Sequence, residues 1–290
     1  MKERRYLATW RTTKAEQRYR ELDGELWQRD LTGPPPEAID VPTGFGLTRV
    51  YRWAGTGPPI VFLHGMGDTS VRWIPYAEHL DGHDVYAVDI MGDVGASQPT
   101  SGFTSAADYP DWLHQTVTGL GLDAPTVVGE SLGGYVALSY AIAHPVAATV
   151  VFDPVGVVKL RLMRFMAMGA WGLLGMAAPD RVRRGIGRRF HQPLLADKQA
   201  LRLFGHGQRH HPPKLPPLPV FSDDELASIA TPLRVVVGAR TTVFDVEKLI
   251  ERVNTVVPGG EARLLPDAAH GFSMTHVDEC LAAIHSAPAS

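Results

Sequence analysis

Seven short apolar runs punctuate the chain, at residues 46–52, 59–63, 84–90, 125–129, 148–152, 233–237 and 261–265. Several are unbroken Val/Ile/Leu rather than alternating, which predicts strands covered on both faces, as in a parallel sheet. Helical patterns fill the gaps, at residues 70–80, 106–120, 131–144 and 246–256. A mixed-charge helix is predicted over 15–27, followed by a turn-rich stretch that ends in Gly33-Pro34-Pro35-Pro36. Strands alternating with helices in this way predict an α/β fold built on a doubly wound, mostly parallel sheet.

One segment breaks the alternation. Residues 157–219 hold no convincing strand and carry twelve Lys/Arg against two acids, Asp180 and Asp197. The same segment contains Met163, Met166, Met168, Met176 and Trp171, and it closes on a stiff run from His211 to Pro219. This composition predicts a helical cap inserted between two strands, with the proline run as the return linker. The chain then divides into a first core part with an N-terminal helix (1–156), the cap (157–219) and a second core part (220–290).

The totals narrow the setting without choosing a chemistry. A chain of 290 residues accommodates one α/β domain with an insertion. Its net charge of −3 gives no reason to expect a nucleic-acid partner. The single cysteine, Cys280, excludes an internal disulfide and fits a reducing compartment. The N-terminus is positively charged but lacks the apolar stretch of a secretory signal. The longest nearly apolar segment, 165–178, is too short to span a bilayer. A cytoplasmic protein without stable membrane insertion is expected, and a homodimer stays open.

The strongest chemical signal is Gly129-Glu130-Ser131-Leu132-Gly133, which follows an apolar run and opens a helical pattern. A strained strand-to-helix turn of this kind lifts a serine hydroxyl off the sheet edge and leaves no room for side chains at the two glycines. His64-Gly65-Met66-Gly67 follows an earlier strand. Its Met66 N–H, together with that of Leu132, would give the two donors an oxyanion needs. A serine hydroxyl requires a base at neutral pH, and His270 stands after the last strand. Of the other histidines, His64 is expected to bond loop backbone, and His206, His210 and His211 to lie in a solvated loop of the cap. Asp267 is expected to brace the loop before His270.

With these motifs in the order serine, then histidine, the chain resembles the α/β-hydrolase superfamily over nearly its whole length. Within it, residues 86–93, 108–113 and 221–226 look like the bacterial carboxylesterase family that includes the naproxen esterases. So do Gly238, Phe244-Asp245, Ala269-His270 and Phe272-Ser273-Met274. The resemblance implies hydrolysis of esters of bulky, often aromatic acids without a cofactor. It also leads one to expect the triad acid three residues past Gly238, where Thr241 stands instead. Two carboxylates remain: Asp153, at the end of the strand entering the cap and preferred here, and Asp245, which also stands at the N-cap position of the next predicted helix. A Ser131–His270 pair without an acid is the third reading.

The expected activity is hydrolysis of hydrophobic carboxylic esters through an acyl-enzyme on Ser131. Gly65, Met163, Met166 and Trp171 are the expected substrate contacts, although the cap residues would serve equally to hold the cap on the core. The chemistry calls for no metal. The alternatives are a non-catalytic or weakly catalytic ligand-binding protein, kept open by Thr241, and a C–C or amide bond hydrolase using the same residues. The basic cap is compatible with a solvated surface, with recruitment of anionic substrates, or with an acidic partner or membrane surface.

Overall fold

Each of the seven apolar runs forms a strand, within two residues at either end. The computed structural model describes residues 5–175, 178–190 and 192–287; side chains at 168, 171–174, 190 and 193 fall outside that description. The described strands are β1 (Glu37–Thr43), β2 (Gly46–Trp53), β3 (Pro59–Leu63), β4 (Asp84–Val88), β5 (Gln98–Pro99), β6 (Thr126–Glu130), β7 (Thr149–Phe152), β8 (Leu233–Gly238) and β9 (Gly260–Leu265). They join in one sheet of order β1-β2-β4-β3-β6-β7-β8-β9, with the short β5 beside β2. From β4 through β9 every pairing is parallel, whereas β2 runs antiparallel to β1, β4 and β5.

The described helices are α1 (Thr13–Asp30), α2 (Ile74–Ala77), α3 (Asp108–Gly119), α4 (Leu132–Ala143), α5 (Leu162–Gly175), α6 (Asp180–Phe190), α7 (Lys198–His210), α8 (Asp223–Ala227), α9 (Val246–Val256) and α10 (Val277–His285). Side chains of the central strands alternate between two buried layers. Val61, Leu63, Val127, Val151, Val235 and Val237 face a core closed by Trp112, Leu113, Val136, Leu249 and Val253 from α3, α4 and α9. Ile60, Phe62, Val128, Val150 and Val236 face the opposite layer, closed by Trp73, Tyr76, Cys280, Leu281 and Ile284. Both faces of the central strands β3, β4, β6, β7 and β8 are dry, which is why these strands read as continuous apolar runs. Cys280 is fully buried in the second layer, and burial pushes its thiol up to about 12.

Three departures from the sequence expectations have local causes. Strand β1 lacks an apolar run because it lies at the sheet edge with only Val41 buried, and an edge strand tolerates Pro42. The helix expected over 70–80 is split into a 3₁₀ turn, Ser70–Trp73, and the single turn of α2, with Pro75 at its start. The cap histidines are not in a solvated loop. His206 Nε2 lies 2.8 Å from the Ala15 carbonyl oxygen, and the buried His211 ring packs 4.7 Å from Trp10. They dock α7 onto the N-terminal arm and α1.

Helices α5, α6 and α7 lie between β7 and β8, with no strand among them in the described residues. No helix among the described residues is long and apolar enough to cross a membrane.

Candidate active site

Strand β6 ends at Glu130 and α4 begins at Leu132, so Ser131 must make the whole turn between them. It does so at φ 53°, ψ −108°, a left-handed conformation that a side chain adopts only under strain. The turn closes because Gly129 and Gly133 bring no side chain. A Cβ on Gly129 would sit 2.2 Å from the Gly133 carbonyl oxygen, and one on Gly133 would sit 2.1 Å from that of Leu63. The Ser131 backbone is pinned by its own N–H donating to Phe152 O (3.0 Å) and by Tyr135 N–H donating to its carbonyl (3.0 Å).

His270 reaches the serine from the loop after β9, with Nε2 3.0 Å from Ser131 Oγ. Its Nδ1 lies 3.3 Å from Oδ2 of Asp153, an ion-pair distance without hydrogen-bond alignment, and has no other partner among the described residues. The edges of Phe165, from the cap, and Phe244 flank the imidazole, with ring centroids 6.4 Å and 6.2 Å away.

Asp153 follows β7 directly and is fully buried at φ 43°. Its Oδ1 accepts from Gly238 N–H (2.9 Å) and its Oδ2 from the Thr241 hydroxyl (2.7 Å). Thr241 therefore occupies its position as a donor to the carboxylate that faces His270. Asp245 is elsewhere: it caps α9 by accepting from Lys248 N–H (3.2 Å), pairs with Arg161 (3.1 Å) and is half exposed. Asp267 pairs with Arg240 at 2.8 Å on the surface.

The turn after β3 faces the serine from the other side. Gly65 lies beside Ser131, and Gly65 and Met66 line the same cavity as Ser131 and His270. Among the described residues, neither the Met66 nor the Leu132 backbone N–H donates to a protein acceptor. The turn is held by Asp93, whose Oδ2 accepts from Gly67 N–H at 2.9 Å, and by His64, whose Nδ1 lies 2.8 Å from Gly65 O and whose Nε2 accepts from Ile90 N–H at 3.0 Å.

A second set of charges, not singled out in the sequence, lies against the same cavity. Glu130 is buried immediately before the serine and faces Arg72 at 3.2 Å. Its Oε2 accepts from the Ser273 hydroxyl at 2.9 Å, three residues beyond His270. Arg72 also bonds Asp68 and donates to Ser273 Oγ (3.1 Å). Burial alone would lower the Arg72 pKa, but the carboxylates of Asp68 and Glu130 raise it above its ordinary value. Only spatial proximity links residues 72, 130 and 273, so no spacing in the sequence could have paired them.

The cavity measures ≈ 710 Å³. Its apolar walls include Val71, Phe165, Leu194, Leu195, Leu203 and Phe204, mostly from the cap, with Ser131 and His270 also on its surface. Of the expected substrate contacts, Gly65 and Met166 line it. Met163 does not: it points to solvent and is 78% exposed, because its position on α5 faces away from the core. The Trp171 side chain falls outside the described residues.

A family profile described as alpha/beta hydrolase fold matches residues 58–272, from β3 to the loop carrying His270. The chain belongs to the α/β-hydrolase fold family. Two curated members from Bacillus subtilis (strain 168) are similar along most of their length. The uncharacterized carboxylesterase nap is 28% identical over 253 residues, 82% of this chain and 83% of the relative. Carboxylesterase YbfK is 28% identical over 251 residues, with the same two coverages. The crystal structure of naproxen esterase from Bacillus subtilis superposes at a TM-score of 0.80 and 24% identity, covering 94% of this chain and 98% of that one. In this family the serine turn, the donor turn after β3 and the late histidine meet at the carboxyl ends of the parallel strands, as they do here.

Proposed function

We propose that the chain is a carboxylesterase-type serine hydrolase acting on esters of hydrophobic or aromatic acids. The reading rests on one observation: Ser131, His270 and Asp153 stand in line, 3.0 Å and 3.3 Å apart, at the wall of a largely apolar cavity. The likeness to carboxylesterases along most of the chain supports the same reaction class.

Neutral His270 takes the Ser131 proton as Oγ attacks the ester carbonyl carbon. The Met66 and Leu132 N–H groups, the latter at the positive end of α4, hold the oxyanion of the tetrahedral intermediate. Collapse breaks the ester C–O bond, and the imidazolium returns its proton to the leaving alkoxide. Water then attacks the acyl-enzyme with His270 again as base, releasing the acid and restoring the serine. Asp153 holds the imidazole in the tautomer with its proton on Nδ1 and stabilises the imidazolium. The single, unpaired thiol of Cys280 fits a reducing, cytoplasmic setting.

A fluorophosphonate probe is expected to label Ser131 in stoichiometric amount, and Ser131→Ala to abolish both labelling and hydrolysis of p-nitrophenyl esters with the fold intact by circular dichroism. Burial of a methylene group is worth roughly 0.8 kcal/mol, so kcat/KM is expected to rise about tenfold for each pair of carbons from acetate to hexanoate. An unlabelled Ser131 would leave a ligand-binding protein. Turnover of anilides in preference to matched esters would leave an amidase.

A further inference from the structure

The mechanism leaves unused the surface the cap presents. On α5, Met163, Met166, Ala167 and Ala170 are all exposed and stand at i, i+3, i+4 and i+7, so they form one apolar stripe. Helices normally turn such a stripe inward; here Met163 is 78% exposed, Met166 59% and the neighbouring Leu162 58%. The stripe borders the cavity, because Met166 and Ala170 belong to both. Helix α6, which packs on the same 3₁₀ turn (Pro193–Leu195) as α5, exposes Arg181, Arg184 and Arg188 on one face with Val182 half exposed beside them. None of these three arginines has an ion-pair partner among the described residues, and Arg164 on α5 is likewise exposed.

We propose that the cap is a docking surface for bilayers rich in anionic phospholipid, with the α5 stripe entering the headgroup region and the α6 arginines resting on lipid phosphates. Charge decides the occupant. The cap segment 157–219 holds twelve Lys/Arg and two Asp, a net +10 in a chain of net −3. Two such faces repel each other, which disfavours a symmetric cap-to-cap dimer. Exposed Met and Leu with arginines beside them match an interface that is apolar within and anionic at its surface. Docking is peripheral and reversible, and it sets the cavity mouth against the lipid. It does not depend on the esterase reading, since binding is measured without turnover.

Cosedimentation with phosphatidylcholine vesicles containing one-third phosphatidylglycerol tests the proposal. The protein is expected to bind these vesicles, to ignore pure phosphatidylcholine, and to be released as salt rises. Each basic residue near an anionic surface contributes about fivefold in partitioning. Arg181→Ala/Arg184→Ala/Arg188→Ala together are therefore expected to weaken binding about a hundredfold. Leu162→Ser/Met163→Ser is expected to weaken it about tenfold, with hydrolysis of a water-soluble ester and thermal unfolding unchanged, since neither residue lines the cavity. Absence of binding by the unmodified protein at low salt would overturn the proposal. So would binding indifferent to Leu162→Ser/Met163→Ser, the mark of polyanion attraction alone, or a dimer in solution abolished by that same pair.

Discussion

At the scale of single residues, Thr241 carries the most information. The family resemblance leads one to expect a carboxylate there, and a threonine reads as a loss. The structure places a buried carboxylate, Asp153, at the end of β7, one strand closer to Ser131, with Thr241 donating to it at 2.7 Å, and the proposed function gives that carboxylate the role of the acid. Ser131 and His270 were legible because a short motif and chain order announce them, whereas the Asp153–Thr241 pair spans 88 residues and exists only once β7 and β8 lie side by side. Asp153→Asn is expected to lower kcat by about three powers of ten or more, the usual cost of losing the triad acid. Asp245→Asn is expected to leave kcat within about twofold and to cost only the roughly 1 kcal/mol of a helix cap. Thr241→Val removes one donor and is expected to cost about tenfold in kcat. Thr241→Asp sets a second carboxylate against the first, so that the pair retains a proton, and it is expected to lower activity rather than restore it. Kinetics of the four variants on p-nitrophenyl butyrate decide the matter. A dead Asp245→Asn beside an active Asp153→Asn would refute the assignment.

At the scale of elements, the same carboxyl edge of the sheet that presents Ser131 also ties it to the histidine loop. Glu130 closes β6, Ser273 lies in the 3₁₀ turn Phe272–Met274, and Arg72 rises from the turn before α2. The three meet in a buried cluster, so the elbow and the loop bearing His270 are clamped to one another. Glu130 and Ser273 are positioning residues in this reading, acting through the backbone of the loop. Ser273→Ala is expected to lower kcat and the fluorophosphonate labelling rate about tenfold with KM little changed, because ground-state contacts in the cavity survive. Glu130→Gln leaves the buried Arg72 with Asp68 alone and is expected to cost about 3 kcal/mol in stability as well. A Ser273→Ala enzyme that loses stability but labels at the parental rate would reduce the cluster to packing. The central strands and their helices were readable because burial on both faces writes itself as unbroken Val/Ile/Leu. Strand β1 and the docking of His206 and His211 were not, since an edge strand needs no apolar run and a polar helix end does not declare what it packs on.

At the scale of the whole molecule, α1 is the element that joins the parts. Tyr19, Leu22 and Leu26 pack with Val71, Ile74 and Val94 of the core and with Leu203 of α7, so the N-terminal helix bridges core and cap. A carboxylate sits in that junction. Asp23 is buried and accepts from the Thr69 hydroxyl at 2.7 Å. Burial first, and the nearby charge of Asp89 second, push its pKa up to about 7, against the hydrogen bond from Thr69. The sign of the linkage follows from which state holds the proton. Between about pH 4 and pH 7 the folded chain keeps the Asp23 proton while the unfolded chain has released it, so this contribution to stability is full below the unfolded pKa and is lost as pH rises through about 7. Raising this carboxyl from about 4 to about 7 corresponds to roughly 4 kcal/mol. Asp23→Asn keeps an acceptor for Thr69 and carries no charge at any pH. Its melting temperature is therefore expected to exceed that of the unmodified chain by roughly 5–10 °C at pH 8, by less than half of that at pH 5, and to match it only near pH 4 and below. The difference between the two proteins across pH isolates this group from every other titration they share. A variant destabilised equally at both pH values would mean that Asp23 is needed for its hydrogen bond and that its charge does not strain the junction.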